Sequence, residues 1–543
     1  MNRHTEQEWQ FAAQDLGSAR HWLAAQPHEA SERHCASRPT LTMQDTYYDS
    51  ADWMIFRAGF ALRVRRAHPA DAADDGETEI TLKSLHRPQD GLARRAEISE
   101  QVGSADLAEV LERDNGIGGR IRELVGSRPL TPLFHARTRR ERQHLLEADS
   151  DLPLAEIDLD ETSIEAPSGE ARELRRVEVE CIHADPGAVS PWVDQLREGA
   201  QLQPVEMSKF RAGLEVAGLT PATPESLGST EIDGSQPFAA TQLAALRRYF
   251  ALMIDKEAEV RAGSVAAVHE MRVAARHLDV LLRVFRGLGP GWAVSTRGRV
   301  RGLIKALGAV RDCDVQLGFL DRTLESLAAD TRQDFEPVRL RLNEQRNKAR
   351  ARLLRTLDSP PLRAFIREWR EHLAAATPGS VRAQRGVTAV IARDLIRDQE
   401  RKLRKRARRL DDDADAEAFH EVRIRAKRLR YTLDAFASLY GDAANAYIGA
   451  LARLQRVLGE YHDSKVREQR FAELVSRGPR LPSSTSFMVG RLVERDASAA
   501  ERFRKAFAKA YRRVRRRRWR ELSEVMKREA HARAAASPPG TTA

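Results

Sequence analysis

HEMRVAARHLDVLLRVF at residues 269–285 recurs as HEVRIRAKRLRYTLDAF at residues 420–436, with His, Glu, Arg, Ala, Leu, Leu and Phe kept at seven places. A second pair, LGAVRDCDV at 307–315 and LGEYHDSKV at 458–466, stands at the same offset of 151 residues. Two separate matches at one offset mark an internal duplication, and each copy carries its apolar residues at helical spacing. The C-terminal half is therefore predicted to be all-α, a tandem pair of helical bundles.

Around the repeat, long 3.6-period segments with few Pro or Gly residues stand out at 238–262, 265–287, 296–324, 386–410, 417–440 and 444–475. Residues 221–237, PATPESLGSTEIDGSQP, combine turn formers with few large apolar groups and are predicted to be a flexible linker. Before the linker, GFALRVRR, TEITLKS, RRAEISEQV, LAEIDLDET and LRRVEVECI are short and alternate polar with apolar residues. These predict an antiparallel sheet or barrel, interrupted by helices at 16–26 and 191–201. The chain thus divides as 1–220 (β-rich), 221–237 (linker), 238–525 (helical) and 526–543 (a disordered tail ending ASPPGTTA), an α+β multidomain protein.

The 543 residues carry a net charge of +11, which by itself suggests only some anionic partner. Its distribution says more. Residues 1–220 hold 26 Lys and Arg against 39 Asp and Glu, a net of −13, so the remainder carries +24. Two modules of opposite charge argue for two different jobs. The three cysteines, Cys35, Cys181 and Cys313, show no CxxC spacing, so neither a disulfide framework nor a zinc site is suggested. With no apolar run of signal-peptide or membrane-spanning type, a soluble protein of the reducing cytoplasm is expected.

In the first half, period-2 alternation places Glu6, Glu8 and Gln10 on one side, and likewise Arg63 with Arg65, Arg95 with Glu97, Glu156 with Asp158 and Asp160, and Glu178 with Glu180. The positions between them, such as Leu62, Val64, Ile157, Leu159, Val177 and Val179, supply an apolar opposite face. Two arrangements satisfy this pattern. The charges either form the solvated outside of a sandwich, or line the inside of a closed barrel whose apolar face is covered by helices. An interior holding both carboxylates and Arg/Lys groups would suit a polyphosphate with a hard divalent metal. Without a ligand such packing is costly.

The order of these motifs resembles that of a CYTH domain, a triphosphate tunnel metalloenzyme module, across most of residues 4–218. The family's ExExK strand corresponds to Glu6, Glu8 and Gln10, its YYD motif to Tyr47, Tyr48 and Asp49, and its LRxR strand to Leu62, Arg63 and Arg65. Lys83 stands in TLK, Arg95 and Glu97 in RxE, Arg140 and Arg142 on a basic strand, Glu156 and Asp160 in ExxxD, Glu178 and Glu180 in ExE, and Ser208-Lys209 in SK. The resemblance implies an eight-stranded antiparallel β tunnel with flanking helices, acting on inorganic triphosphate or a related short phosphate compound. It implies Glu6, Glu8, Glu178 and Glu180 as catalytic residues. It further implies Glu6, Glu8, Asp160, Glu178 and Glu180 as ligands of Mg²⁺ or Mn²⁺, and Arg63, Arg65, Lys83, Arg95, Arg140, Arg142 and Lys209 as phosphate clamps. Metal would neutralise charge and position water for in-line attack. Two positions depart from the family: Gln10 replaces Lys, and Arg176 stands where many members carry an acid. One lost charged contact is worth about 1.5–3 kcal/mol, enough to weaken a triphosphatase without abolishing it.

In the helical half, His269, Arg272, Arg276 and Arg283 fall within an arc of about 60° at 100° per residue. In the second copy His420, Arg423, Lys427 and Arg430 fall within about 80°. Lys305 and Arg456 are equivalent under the same offset, and Asp312 and Asp463 could orient neighbouring basic groups. An ordinary solvated helix would intersperse acids to gain i,i+4 pairs, whereas these stripes are nearly free of them. The motifs resemble a CHAD domain, the conserved-histidine α-helical module, over about 238–525. That resemblance implies two four-helix bundles around a basic groove that binds inorganic polyphosphate, through His269, Arg272, Arg276, Arg283, Lys305, His420, Arg423, Lys427, Arg430 and Arg456.

The combined expectation is metal-dependent hydrolysis of a short phosphate in the tunnel, coupled to binding of long polyphosphate by the basic helices. The alternative is a non-enzymatic polyphosphate-binding protein, associated with polyphosphate granules, whose tunnel is degenerate. Nucleic-acid binding is disfavoured, because few aromatics punctuate the basic stripes. The run YRRVRRRRWR at 511–520 reads either as a solvated helix end or as a phosphate-binding strip.

Overall fold

Eight antiparallel strands lie side by side in the order of those beginning at Leu92, Glu77, Phe60, Arg33, Leu130, Ala155, Ala171 and Asn2, and the Asn2 strand pairs again with the Leu92 strand, so the sheet closes on itself. The computed structural model describes residues 2–26, 33–71, 76–85, 92–103, 106–113, 116–147, 152–205, 207–221, 227–286, 291–325, 332–377, 387–410, 414–476 and 481–535. They form two units, one of Met1–Thr223 with Ala258–Gly263 and one of Pro224–Glu257 with Ser264–Ala543. The first contains β1 (Asn2–Ala12), α1 (Gly17–Ala24), β2 (Arg33–Ser50), α2 (Met54–Arg57), β3 (Phe60–Pro69), β4 (Glu77–Ser84), β5 (Leu92–Val102), α3 (Leu107–Glu112), α4 (Gly116–Val125), β6 (Leu130–Glu147), β7 (Ala155–Glu165), β8 (Ala171–Cys181), α5 (Pro186–Gly199), β9 (Gln203–Pro204) and α6 (Lys209–Val216). The two-residue β9 extends the sheet beside β1.

Helices cover the apolar outside of the barrel. Trp9, Ile157, Leu159, Val177 and Val179 pack against Leu23 of α1 and Val189, Val193 and Leu196 of α5. On another side Leu62, Val64, Ile80 and Leu82 meet Ile55 of α2, Val110 of α3 and Ile121 and Leu124 of α4. Tyr47, Phe134 and Ile164 lie instead on the inward face, Tyr47 in register with Arg63 and Ile164 in register with Ala136, and there they meet Phe210 and Leu214 of α6. With its apolar face taken by helices, the alternating pattern turns the charged side chains inward, which selects the barrel over the sandwich. α1 and α5 match the two predicted interruptions, with α5 starting at Pro186 rather than 191.

Two motifs turn out to serve the scaffold. Asp49 of the YYD motif is buried, and its carboxylate accepts from the backbone N–H groups of Ser50, Ile55 and Phe56 at 2.7–2.9 Å. It thereby caps the turn leading to β3. Ser208 caps α6 by accepting from the Arg211 N–H. Gly213 lets that helix lie on β6, because a Cβ there would stand 2.1 Å from the Phe134 ring. Lys209, at the first turn of α6, is thereby fixed over the barrel.

The chain continues as α7 (Phe238–Asp255), α8 (Glu257–Ala262), α9 (Val265–Val284), α10 (Gly291–Ser295), α11 (Arg297–Glu325), α12 (Glu336–Asp358), α13 (Pro360–Ala375), α14 (Thr388–Ala407), α15 (Ala416–Ala435), α16 (Gly441–Ser476), α17 (Ser483–Arg513) and α18 (Trp519–Ala535). Long helices α7, α9, α11 and α12 pack in sequence, as do α14, α15, α16 and α17, and the copies meet through α9 against α15. α12, α13 and α17 add to the six segments that periodicity singles out. α12 is charged over most of its length and shows no clean stripe, although Val338, Leu342, Leu353 and Leu357 are buried. At the join Phe238 contacts both Phe285 and Phe436, ring centroids 5.7 and 6.4 Å away.

Two sequence expectations need correction. Part of the expected linker is pinned: Gln236 and Gly234 carbonyls accept from the Thr388 and Ala389 N–H groups, and Leu227 is buried. Linker residues 222–226 lie outside the described residues. The expected disordered tail from 526 is helical to Ala535, because Leu522, Met526 and Ala530, four apart, are buried. Residues 536–543 lie outside the described residues. Within the basic run at 511–520, a π turn at Val514–Arg518 separates α17 from α18, and Arg517 and Arg518 both pair with Glu521. Among the described residues no helix is long and apolar enough to cross a membrane.

Candidate functional site

Strand alternation and the register of the barrel assemble the inward side chains around a cavity of about 1060 Å³. Glu8 lies opposite Glu180 and Gln10 opposite Glu178 on β1 and β8, Asp158 faces Glu178 from β7, and Glu6 faces Arg95 on β5. Of the tunnel residues expected from sequence, Glu6, Glu8, Arg63, Arg65, Lys83, Arg95, Arg140, Glu178, Glu180 and Lys209 line this cavity.

Asp160 and Arg142 are placed otherwise. Asp160 is fully buried behind the lining, where it receives Arg140 through two bonds of 2.7 Å and pairs with Lys209. Arg142 is not among the lining residues and forms a two-bond pair with Glu156 at 3.0 and 2.8 Å. His4, Glu79, Glu97 and Asp158 also line the cavity and were absent from the expected set. Each sits two residues from an expected position or motif residue on the same strand face, so the alternation itself carried the signal.

The lumen holds two electrostatic clusters. In the first, Glu178 accepts from Arg140 at 2.8 Å and pairs with Lys209 at 3.2 Å. Burial alone would raise its pKa, but Lys209, Arg140 and Arg176 overcome it and hold the carboxyl well below the usual range. Asp160 is likewise held down against burial by Arg140 and Lys209. Nearby, Asp45 takes Arg65 in a two-bond pair at 2.7 and 2.9 Å, and its pKa falls to about 2 although it is fully buried. These acids are counter-ions of cations.

The second cluster is short of cations. Lys83 is shared by Glu6, by Glu8 at 3.4 Å and by Glu97 at 3.9 Å, and Arg95 reaches Glu8 at 2.7 Å. Burial, reinforced by Glu6 and Glu8, pushes Glu180 up to about 8. Burial also raises Glu8, with Glu6 and Glu178 adding to it. Asp158, beside Arg140, is pushed by burial and by Asp160, Glu156 and Glu178 to about 8, and its Oδ1 is buried with no hydrogen-bond partner. Gln10 donates its amide to Glu8 at 3.0 Å and Glu178 at 3.3 Å, which bridges the two clusters with a neutral group.

Carboxyl groups raised by burial and by one another, with a buried carboxylate oxygen of Asp158 left without a hydrogen-bond partner, fit a hard divalent cation. The donor set is wholly oxygen, in line with Mg²⁺ or Mn²⁺. Among the described residues no three His, Cys, Asp or Glu side chains converge as a ready-made metal cluster. Lys83 occupies the space between Glu6, Glu8 and Glu97 instead.

In the helical unit α9 and α15 bring part of both predicted stripes together. His269, Arg272, Arg276, His420, Arg423 and Lys427 act on one another electrostatically, with Arg272 3.9 Å from Asp312 and Arg423 4.0 Å from Asp463. Gly308 and Gly459, equivalent in the repeat, lie beside the Arg272 and Arg423 guanidinium groups, which would stand at the ordinary contact distances of 3.6 and 3.9 Å from an added Cβ, so a side chain larger than alanine would crowd them. The Nε atoms of Arg272, Arg276 and Arg423, together with His420 Nδ1, are buried with no hydrogen-bond partner. Burial among cations pushes Lys427 down to about 6.

Two members of this cluster were missed by the sequence reading. His462 lies with its ring 4.6 Å from that of His420, and burial beside Arg423 pushes it down to about 4. Arg311 acts on His269. They occupy equivalent positions in the LGxxxD segments, so the offset could have found them. Of the remaining expected residues, Lys305 and Arg456 are exposed. Arg430 is engaged with Gln455 at 2.9 Å and Asp434 at 3.6 Å, and exposed Arg283 sits among Arg297, Arg425 and Asp279.

The CYTH domain model matches residues 30–213 and the CHAD domain model residues 244–472. An uncharacterised protein of Mycobacterium tuberculosis, found in strains CDC 1551 / Oshkosh and H37Rv, is 27% identical over 506 residues, covering 88% of this chain and 90% of its own. Among solved structures, the CHAD domain from the plant Ricinus communis is 25% identical, covering 52% of this chain and 97% of its own, with a TM-score of 0.43. An adenylyl cyclase candidate from Hippeastrum with a dominant triphosphatase activity is 16% identical, covering 40% of this chain and 97% of its own, with a TM-score of 0.29.

Proposed function

From a chain that carries a CYTH domain followed by a CHAD domain, we propose a two-site phosphate protein. The tunnel acts on inorganic triphosphate or a related short phosphate compound with a divalent metal, and the basic helical cluster binds long inorganic polyphosphate. The observation that carries this reading is the paired design of the lumen, in which Arg140 and Lys209 take Glu178 and Asp160 while Glu6, Glu8 and Glu97 share the single Lys83.

Glu6, Glu8 and Glu180 are the residues proposed to hold the metal, and Glu178 and Asp160 act as anchors for Arg140 and Lys209. When bound, the metal supplies charge neutralisation and an activated water. Bound phosphate oxygens would take the contacts that Glu6 and Glu8 now make with Lys83 and Arg95, and those carboxylates are the ones that would hold the cation. Arg63, Arg65, Arg140 and Lys209 hold the remaining phosphates by charge-assisted hydrogen bonds. In the helical unit, unpartnered buried nitrogens on both repeats await an anion, and a linear polyanion answers several at once.

The test is phosphate release from tripolyphosphate, long polyphosphate, ATP and thiamine triphosphate by the full chain, each with and without Mg²⁺ or Mn²⁺. Metal-dependent release from at least one short phosphate is expected, and its absence across the panel removes the enzymatic reading. A second reading is supported by Gln10, whose neutral amide ties Glu8 to Glu178. On that reading the tunnel binds a phosphate without turnover, and the protein is a polyphosphate-binding or granule-associated one. Tripolyphosphate binding that the E8A substitution leaves unchanged, with no release, selects it.

A further inference from the structure

Arg176 has no role in either reading, yet it lies on β8 two residues before Glu178, opposite Ala12 of β1 and Asp160 of β7. It is 4% exposed. Its Nη2 donates to the Met207 carbonyl at 2.9 Å, while Nη1 is buried with no hydrogen-bond partner. A buried guanidinium with an unpaired donor is costly unless an anion joins it. Its charged neighbours include Glu178 and Asp160, and these are already engaged by Arg140 and Lys209. Arg140 and Lys209 thus take the close ion-pair contacts of Asp158, Asp160 and Glu178, and Arg176 is left with a carbonyl as its hydrogen-bond partner. Across the β1–β8 pair from Glu178 stands Gln10, which is neutral. Met207, Tyr47 and Glu178 line the cavity, and Arg176 shares the inward face of β8 with Glu178, which puts it at the edge of that cavity.

We propose that Arg176 is a positioning residue for a terminal phosphate group. It ties down the Met207–Lys209 segment so that Lys209 reaches the lumen, and it supplies from beside Glu178 the positive charge that Gln10 does not carry. This rests on the reading of the tunnel as a triphosphate site. The Gln10 amide stands 3.3 Å from Glu178 Oε1, so a lysine at position 10 would set an ammonium against the same carboxylate and relieve the loss of Arg176. A role limited to holding the Met207 carbonyl offers no such relief.

The experiment measures tripolyphosphate binding by titration calorimetry with Mg²⁺, using the full-length protein, R176Q, R176K and the double variant R176Q/Q10K, with thermal melts alongside. R176Q should weaken binding by about tenfold or more, the scale of one charged contact. The double variant should recover most of that loss. Unchanged affinity in R176Q, or a double variant no better than R176Q, overturns the proposal. If R176Q melts early, R176K carries the test: affinity close to the parent supports the charge role, and a loss of tenfold overturns it. A parent protein that binds no tripolyphosphate refutes the triphosphate reading itself, and the role of Arg176 with it.

Discussion

Phe285 and Phe436, 151 residues apart in sequence, lie with ring centroids 6.5 Å apart where the two helical repeats join. Both are essentially fully buried, and equivalent residues meeting at the join is what a twofold-like pairing of repeats requires. Replacing either by Ala should destabilise the helical unit by about 3–5 kcal/mol. The double variant should lose less than the sum, because the rings share partners. Urea unfolding followed by far-ultraviolet circular dichroism measures both.

The lumen acids give a pH dependence with a definite sign. Glu180 and Asp158 are held up to about 8 against ordinary values of 4.5 and 3.8. A raised carboxyl pKa means the folded state binds more protons than the unfolded one between those values. Their contribution to stability is therefore complete below the ordinary values and is lost as pH rises through about 8. Added Mg²⁺ should reverse part of that loss, and its affinity should rise from pH 6.5 to 9. Melting temperatures across pH, with and without metal, check the sign, and an Mg²⁺ affinity that falls with pH contradicts it.

Lys427 predicts the opposite trend in the helical unit. Its pKa lies near 6 in the fold against an ordinary 10.5, so the unfolded chain binds the extra proton and stability rises with pH across that window. Burial presses it down first, then Arg423, Arg276 and Arg272, and Asp463 opposes them, while His269, His420 and His462 complete the surroundings. A bound polyanion should restore the proton. Calorimetry of polyphosphate binding at pH 7.5, in buffers of different ionisation enthalpy, should show proton uptake that K427M removes. Affinity should also fall steeply with salt.

Gly308 separates space from charge. A Cβ there meets the Arg272 guanidinium at an ordinary 3.6 Å, so G308A should be tolerated and should gain up to about 1 kcal/mol from helix propensity. G308L should push Arg272 away and weaken polyphosphate binding with little loss of helix content. Equal binding by both variants would show that Arg272 does not contact the anion.

Gly213 makes a sharper case in the tunnel, because a Cβ would stand 2.1 Å from the Phe134 ring. G213A should displace α6 and with it Lys209, cutting tripolyphosphate affinity although no charged residue has changed. The signature is a loss matched by K209A but not added to when the two are combined.

Much of this was legible in the chain. The duplication located the helical repeats, and period-2 alternation sorted nearly every lumen residue onto its face. The roles of the acids were less legible: Glu178 and Asp160 read like metal ligands beside Glu6 and Glu8, yet Arg140 and Lys209, distant in sequence, neutralise them. Lys305 and Arg456 show the same limit from the other side. The offset makes them equivalent, but it does not say that their helix positions face solvent. The tail from 526 was misjudged because three well-spaced apolar residues sufficed for a helix with neighbours to pack on.

By itself, the sequence determined the periodicities, the tandem repeat and the division of charge into −13 and +24, because these depend only on which residues follow one another. The tertiary structure decided which side of the alternation faces inward and which carboxylates keep a cation of their own. An alternating strand is symmetric between its two faces until helices cover the apolar one, and a pKa answers to charges brought near through space.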